Sequence, residues 1–171
     1  MTRSFNLRIA LAFAGALSLF ATAYADGGRM SPRQVLPAYQ QECGSCHVAY
    51  PASLLPASSW QRIMLGLDQH YGSDASLDAD TTRQIGAWLQ THAGTRLRDR
   101  QAPAQDRITR SSWFERKHRK IEPTVWQHAS VKSAANCTAC HADAALGDFD
   151  DDRLRIPPGL DKHQQRAFAH D

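Results

Sequence analysis

Hydrophobic positions along the chain recur at helical spacing and seldom alternate, so the pattern predicts a mainly α protein with little or no strand. The first apolar run, Ile9 to Ala23, follows Arg3 and Arg8 and ends in Ala23-Tyr24-Ala25. That layout is expected of a secretory leader spanning residues 1–25, whose removal leaves Asp26 to Asp171. The run is shorter than the roughly 20 residues a spanning helix needs, which argues against stable membrane insertion. Farther on, Ser31-Pro32 opens a segment through Val35, and Pro37 restarts it toward Tyr39 and Cys43. Ser58 or Ser59 is placed to cap a helix from Trp60 to about His70, with Gly72 as its end. Asp78 or Asp80 then starts a helix carrying Ile85, Trp88 and Leu89, with Gly94 as its stop.

Residues 95–110 are polar and contain Pro103, so they read as a linker between a first half, 26–94, and a second, 111–171. In the second half, Ser112-x-x-Glu115 has the form of a capping box launching a helix from Trp113 to about Lys120, which Pro123 stops. A short turn follows through Trp126, and another runs from Ala142 to Leu146 with Gly147 behind it. Asp148, Asp150, Asp151 and Asp152 read as a solvated acidic loop. Pro157-Pro158-Gly159 precedes what reads as a polar tail containing His163 and His170.

Charge changes the picture little. The whole chain carries a formal +3, but residues 1–25 hold two arginines and no acid, which leaves a net of +1 in the remainder. That margin does not suggest a nucleic-acid binder. The balance is uneven, however: Arg96 to Lys120 contains nine basic and three acidic residues.

The four cysteines change the picture a great deal. They fall as Cys43-Gly44-Ser45-Cys46-His47 and Cys137-Thr138-Ala139-Cys140-His141, two copies of C-x-x-C-H with no cysteine left over. This is the c-type haem attachment spacing, in which each thiol adds to a vinyl group and the adjacent histidine reaches the iron. Two disulfides would suit an exported chain but do not call for a histidine after each pair. A four-cysteine zinc site wants its pairs about fifteen to twenty residues apart. A redox dithiol usually occurs once, in a βαβ context that this pattern lacks. Two covalent haems would also supply apolar volume to a small core, so the apoprotein is expected to be largely unfolded.

The sixth ligand of each iron is the next question. At about 100° per residue, His70 shares an apolar stripe with Ile63 and Leu67, while Met64 is most simply a core residue. His118 lies on a stripe with Phe114 and Ile121. His92 shares the face of Ile85, Trp88 and Leu89, a placement as good as that of His70, although a histidine there also suits a helix C-terminus. His128, close upstream of the second motif, is a ligand or a loop residue. Pattern alone leaves these four open.

Four stretches carry a resemblance: YQQECGSCHVAYPASLL (39–55), PASSWQRIMLGLDQHYGSDASL (56–77), ITRSSWFERKHRKI (108–121) and VKSAANCTACHADAALGDFDDDRLRI (131–156). They resemble the small exported dihaem cytochromes c called DHC. The resemblance implies helices packed around two covalently attached haems, with both irons bis-histidine: His47 and His141 from the motifs, His70 and His118 as the distal pair. The local pairing puts His70 over the haem of Cys43 and Cys46, and His118 over that of Cys137 and Cys140. It further implies a periplasmic electron carrier rather than an enzyme, one that passes electrons to an oxygen-binding monohaem cytochrome c or accepts them from a membrane b-type cytochrome. The rival is a small dihaem peroxidase or reductase, or a gas-binding haem protein, with one five-coordinate iron. The basic stretch Arg96 to Lys120 then has two readings, as partners of the haem propionates or as a docking face for a redox partner.

Overall fold

The computed structural model describes residues 35–96 and 101–169. The leader, the opening at Ser31-Pro32, residues 97–100 of the linker and His170 lie outside the described residues. Six short α-helices joined by 3-10 turns make up the described chain: α1 (Pro37–Gly44), α2 (Ala57–Leu65), α3 (Ala79–His92), α4 (Ser112–Lys117), α5 (Pro123–Gln127) and α6 (Lys162–Gln165). Among the described residues β pairing is limited to two isolated bridges, His70 with Ser73 and His141 with Leu154. No helix among them is long and apolar enough to cross a membrane.

The first half is a three-helix unit around Tyr39, Ala52, Leu55, Trp60, Ile85 and Leu89. Proline sets the entry of α1, with Pro37 in its first turn, where a missing N–H costs nothing. Asp78 starts α3 by accepting hydrogen bonds from the backbone N–H groups of Asp80 (3.0 Å) and Thr81 (2.9 Å). The core's polar atoms are paired: the Trp60 indole donates to the Ala52 carbonyl at 2.7 Å, and the Tyr39 hydroxyl donates to the Tyr50 carbonyl at 2.6 Å.

Helix α2 corrects the reading of the sequence at both ends. It begins at Ala57, because Pro56 already has the extended conformation of a cap residue, and neither Ser58 nor Ser59 caps it. Ser59 is instead buried within it. It ends at Leu65, since Gly66 leaves the helix, and a 3-10 turn over Leu67–Gln69 follows. His70 therefore stands beyond the helix, and its predicted register with Ile63 and Leu67 does not apply.

The second half has its own core, Val125, Val131, Ala139, Leu160 and Phe168. The cap of α4 is Ser111, whose hydroxyl accepts from the Phe114 N–H at 3.3 Å. This is one residue before the predicted cap, so Glu115 falls outside the box and no reciprocal bond forms. The helix also stops early, at Lys117, with His118 as its C-terminal cap. The tail is a second correction. Asp161 and Gln164 form a capping box that starts α6, and Leu160 and Phe168 close the core beneath it. Its exposed charges masked two anchoring apolar residues. His163 lies on its surface, 3.5 Å from Glu122.

The described part of 95–110 is bound to the first half. It forms 3-10 turns at Ala104–Asp106 and Ile108–Arg110, Ile108 packs on the first core, and Asp106 pairs with Arg62 at 2.6 Å.

Candidate haem-binding site

A cavity of about 1880 Å³ is lined by residues of both halves. An ordinary small-molecule pocket is about 300–1,000 Å³, so this one has room for more than one large group. Cys43, Cys46, His47 and His70 line it from the first half, and His118, Cys137, Cys140 and His141 from the second. His92, His128 and His163 are not among its lining residues.

In the first half, α1 ends at Gly44 and delivers Cys46 and His47 to an exposed turn. The His47 Nδ1–H donates to the Val48 carbonyl at 2.7 Å, which leaves Nε2 free to act as a ligand. Tyr50 stacks on the His47 ring at 4.8 Å, and its hydroxyl donates to the Ala135 carbonyl at 2.7 Å, tying this site to the loop before Cys137. The His70 ring faces His47 with centroids 6.2 Å apart and planes 20° from parallel. Burial, then the neighbouring His47, then Arg107 hold the His70 pKa below its ordinary value, so the ring is neutral as a ligand must be.

In the second half, a 3-10 turn over Cys137–Ala139 carries the motif, and the Cys140 carbonyl accepts from the Arg155 N–H at 2.7 Å. The His118 Nδ1–H donates to the Phe114 carbonyl at 2.9 Å, and its ring lies flat on Phe114 at 4.0 Å. Again Nε2 is left free. The His118 and His141 centroids are 6.2 Å apart, with planes at 71°. Burial is the main cause that lowers the pKa of both rings. The acidic loop, read as plain surface, folds beside this site: Phe149 lies 5.7 Å from the His141 ring, Asp148 pairs with Arg153, and Asp151 pairs with Lys117 at 3.1 Å.

The remaining candidates have other roles. His92 is exposed, stacks on Trp88 at 4.6 Å and donates to the Trp88 carbonyl at 2.8 Å. The Nδ1 of His128 accepts from the Ser130 N–H at 3.2 Å, and its ring packs beneath Gly159, where an added Cβ would come within 3.1 Å. With φ at +86°, that glycine is doubly required. Met64 also lines the cavity, but it packs against the first core.

These residues fit two haems. The metal–imidazole distance is about 2 Å, and a ring centre lies about 1 Å behind its nitrogen. Two rings sharing one metal therefore stand about 6 Å apart, and both pairs do. None of the four cysteines is in a disulfide, and burial pushes the Cys43 and Cys137 thiols up to about 11. A redox dithiol needs the opposite shift. Sequence reasoning did not find Tyr50, Tyr71 and Asp106, which hold the first site together. Their contacts span 34 to 85 residues and leave no periodic trace.

Comparison with known proteins places this geometry. The family model for dihaem cytochrome c matches residues 39–149, a span that contains all eight of these cysteines and histidines. The crystal structure of DHC purified from Rhodobacter sphaeroides is similar at 39% identity, with a TM-score of 0.59, covering 67% of this chain and 97% of its own. The X-ray structure of a diheme cytochrome type c from Shewanella baltica OS155 is similar at 38% identity, with a TM-score of 0.63, covering 77% of this chain and 97% of its own. No curated protein matches.

Proposed function

The chain belongs to the dihaem cytochrome c family, and on that premise we propose that it is a periplasmic electron carrier whose two irons are each closed by two histidines, His47 with His70 and His141 with His118. The observation that carries this reading is the pair of imidazole couples, each 6.2 Å between centroids and both on one cavity. The two c-type haems supply one-electron iron chemistry. The chain's own residues do the rest. Four thiols would anchor the groups, the four histidines would hold the two irons, and the apolar lining would limit water. Two histidine ligands also place a haem lower in potential than histidine with methionine. An enzyme or gas binder would need an open axial position, and this arrangement has a ring for each.

Arg96, Arg107, Arg116, Lys117 and Lys120 line the cavity, which supports propionate pairing for part of the basic stretch. Arg110 and Arg119, exposed and outside the cavity lining, suit docking by a redox partner, a monohaem or b-type cytochrome, at a rate that falls as salt screens charge over about 10 Å at 0.1 M. Salt-independent second-order kinetics would assign the stretch to the propionates alone.

The absorption spectrum of the reduced holoprotein, with and without carbon monoxide, tests the ligand set. Neither iron should bind the gas in the unmodified protein, and His70→Ala or His118→Ala should open one iron each. His92→Ala and His128→Ala should open none. Stoichiometric binding by the unmodified protein, or an iron opened by His92→Ala but not by His70→Ala, would sink the assignment.

A further inference from the structure

Of the two proposed distal ligands, His70 is the one with no α-helix beneath it, whereas His118 caps the end of α4. His70 follows a 3-10 turn beyond the Gly66 break, and the chain then passes through two left-handed residues, Tyr71 (φ 51°) and Gly72 (φ 98°). A left-handed conformation is disfavoured for a tyrosine and persists only where its surroundings over-determine it. Here they do. The Tyr71 hydroxyl meets the carbonyls of Gln105 and Asp106, each at 3.1 Å. Both of those residues are themselves left-handed, at φ 56° and 54°. Three of the four non-glycine residues with positive φ among the described residues thus converge on one contact. The Arg107 guanidinium lies 4.3 Å above the Tyr71 ring. Arg62 then grips the Asp106 carboxylate with two hydrogen bonds, 2.8 and 2.6 Å, fixing the strained turn to α2. The Tyr71 ring in turn stands edge-on to His70 at 4.9 Å.

We propose that Tyr71, Asp106 and Arg62 form a latch that positions His70, so that the first iron is the one whose sixth site can open to a small neutral ligand such as carbon monoxide. The proposal rests on the bis-histidine reading above and goes beyond it by separating the two irons. A second observation supports it. A cavity of about 160 Å³, lined by Ile63, Gly66, Gln69, His70, Tyr71 and Asp106 among others, adjoins the ring, so His70 has space beside it when the latch is loose. His118 is held differently, by a stack on Phe114 and a hydrogen bond that it donates to the carbonyl of that same residue of its own helix. Tyr71, Asp106 and Arg62 are positioning residues, since the latch acts on the iron only through His70.

The test uses the reduced holoprotein carrying Tyr71→Phe, which removes the hydroxyl but keeps the ring, and separately Arg62→Gln, which leaves Tyr71 untouched. Asp161→Ala, which breaks the capping box of α6 away from both histidine couples, is the control for simple destabilisation. Each latch variant should raise carbon monoxide affinity at one haem by about tenfold, the equilibrium effect of one or two lost hydrogen bonds. The potential of that haem should rise while the other stays. The control should lower the melting temperature without gas binding. Latch variants that melt earlier with affinity and both potentials unmoved, or that open both irons alike, overturn the latch. Stoichiometric binding before any substitution overturns the bis-histidine reading and the latch with it, so the two failures are distinct.

Discussion

The second haem site holds its distal ring from within a single helix: Phe114 supplies both the stacked face, at 4.0 Å, and the carbonyl that fixes the His118 tautomer. At the first site the distal ring has no such neighbour, and its position depends on a tyrosine, an aspartate and an arginine gathered from three stretches of chain. The proximal sides differ in the same sense. His47 is exposed on the turn after α1, whereas the loop bearing His141 is backed by Leu154 and Arg155. Both couples nevertheless measure 6.2 Å. Equal ring separation is thus reached with unequal support, and on the proposed ligand set that support decides which iron is easier to disturb.

The largest expected effect is on covalent loading. Cys46 is exposed, while Cys140 is partly buried and packs against the second core. Replacing either with alanine should leave a poorly folded or single-haem product, and Cys140→Ala should lose the more helix because its core is built on the group it anchors. Mass spectrometry of the denatured proteins and far-ultraviolet circular dichroism measure both. If the unmodified chain, from cells competent for cytochrome c maturation, has the mass of bare polypeptide, covalent attachment is refuted. If Cys46→Ala is the less helical, the ranking of the two sites reverses.

Next in size is Phe114→Ala. Phe114 is buried, caps the stack on His118 and touches Trp126 at 6.1 Å between centroids. Emptying that volume should cost about 3–5 kcal/mol in denaturant unfolding of the holoprotein and loosen His118 only. A loss below about 1 kcal/mol would show that the stack is not what holds the second site.

The residues that could be read from the sequence are those whose spacing is the chemistry. Both C-x-x-C-H motifs, the α class and α3 follow from short-range pattern, which offers Asp78 or Asp80 as the start of α3, and the structure has Asp78 as the cap. His70 and His118 were reached through resemblance, because a helical wheel treats His70 and His92 as equals. The wheel fails at Gly66, where the chain leaves α2, and His92 turns out to stack on Trp88 at the surface. The cap of α4 was misplaced by one because Ser111 and Ser112 are adjacent and only tertiary packing selects between them. The latch had no signature at all. A left-handed tyrosine and a contact 35 residues away are properties of the folded chain, and a polar stretch around Pro103 looks the same whether it is a tether or half of a clamp.

The smallest expected effect is the acid dependence of that clamp. The hydrogen bond from Arg62 holds the Asp106 carboxyl below its ordinary range, against a smaller opposing effect of burial. The charged and titratable groups around it are Arg62, Arg107 and the Tyr71 phenol, and the pKa of that phenol is raised by burial and by Asp106 itself. A carboxylate depressed in the folded state contributes stability that is complete above its unfolded value, about 3.9, and is lost as pH falls through the folded value. Asp106→Asn should therefore weaken the first site at neutral pH and make no difference once Asp106 is protonated in the parent. Carbon monoxide affinity of the reduced holoprotein, measured for parent and variant from pH 7 downward, should differ by a constant factor down to about 3.9 and converge only as pH falls through the lowered value of Asp106. Acid also releases the histidines themselves and would erase the difference by another route, so the comparison is read only where the spectra of both proteins before gas is added remain six-coordinate. A difference that persists unchanged into acid would mean that Asp106 acts through its backbone carbonyl to Tyr71 and not through its charge. A difference that appears equally at both haems would mean that the clamp does not belong to the first site.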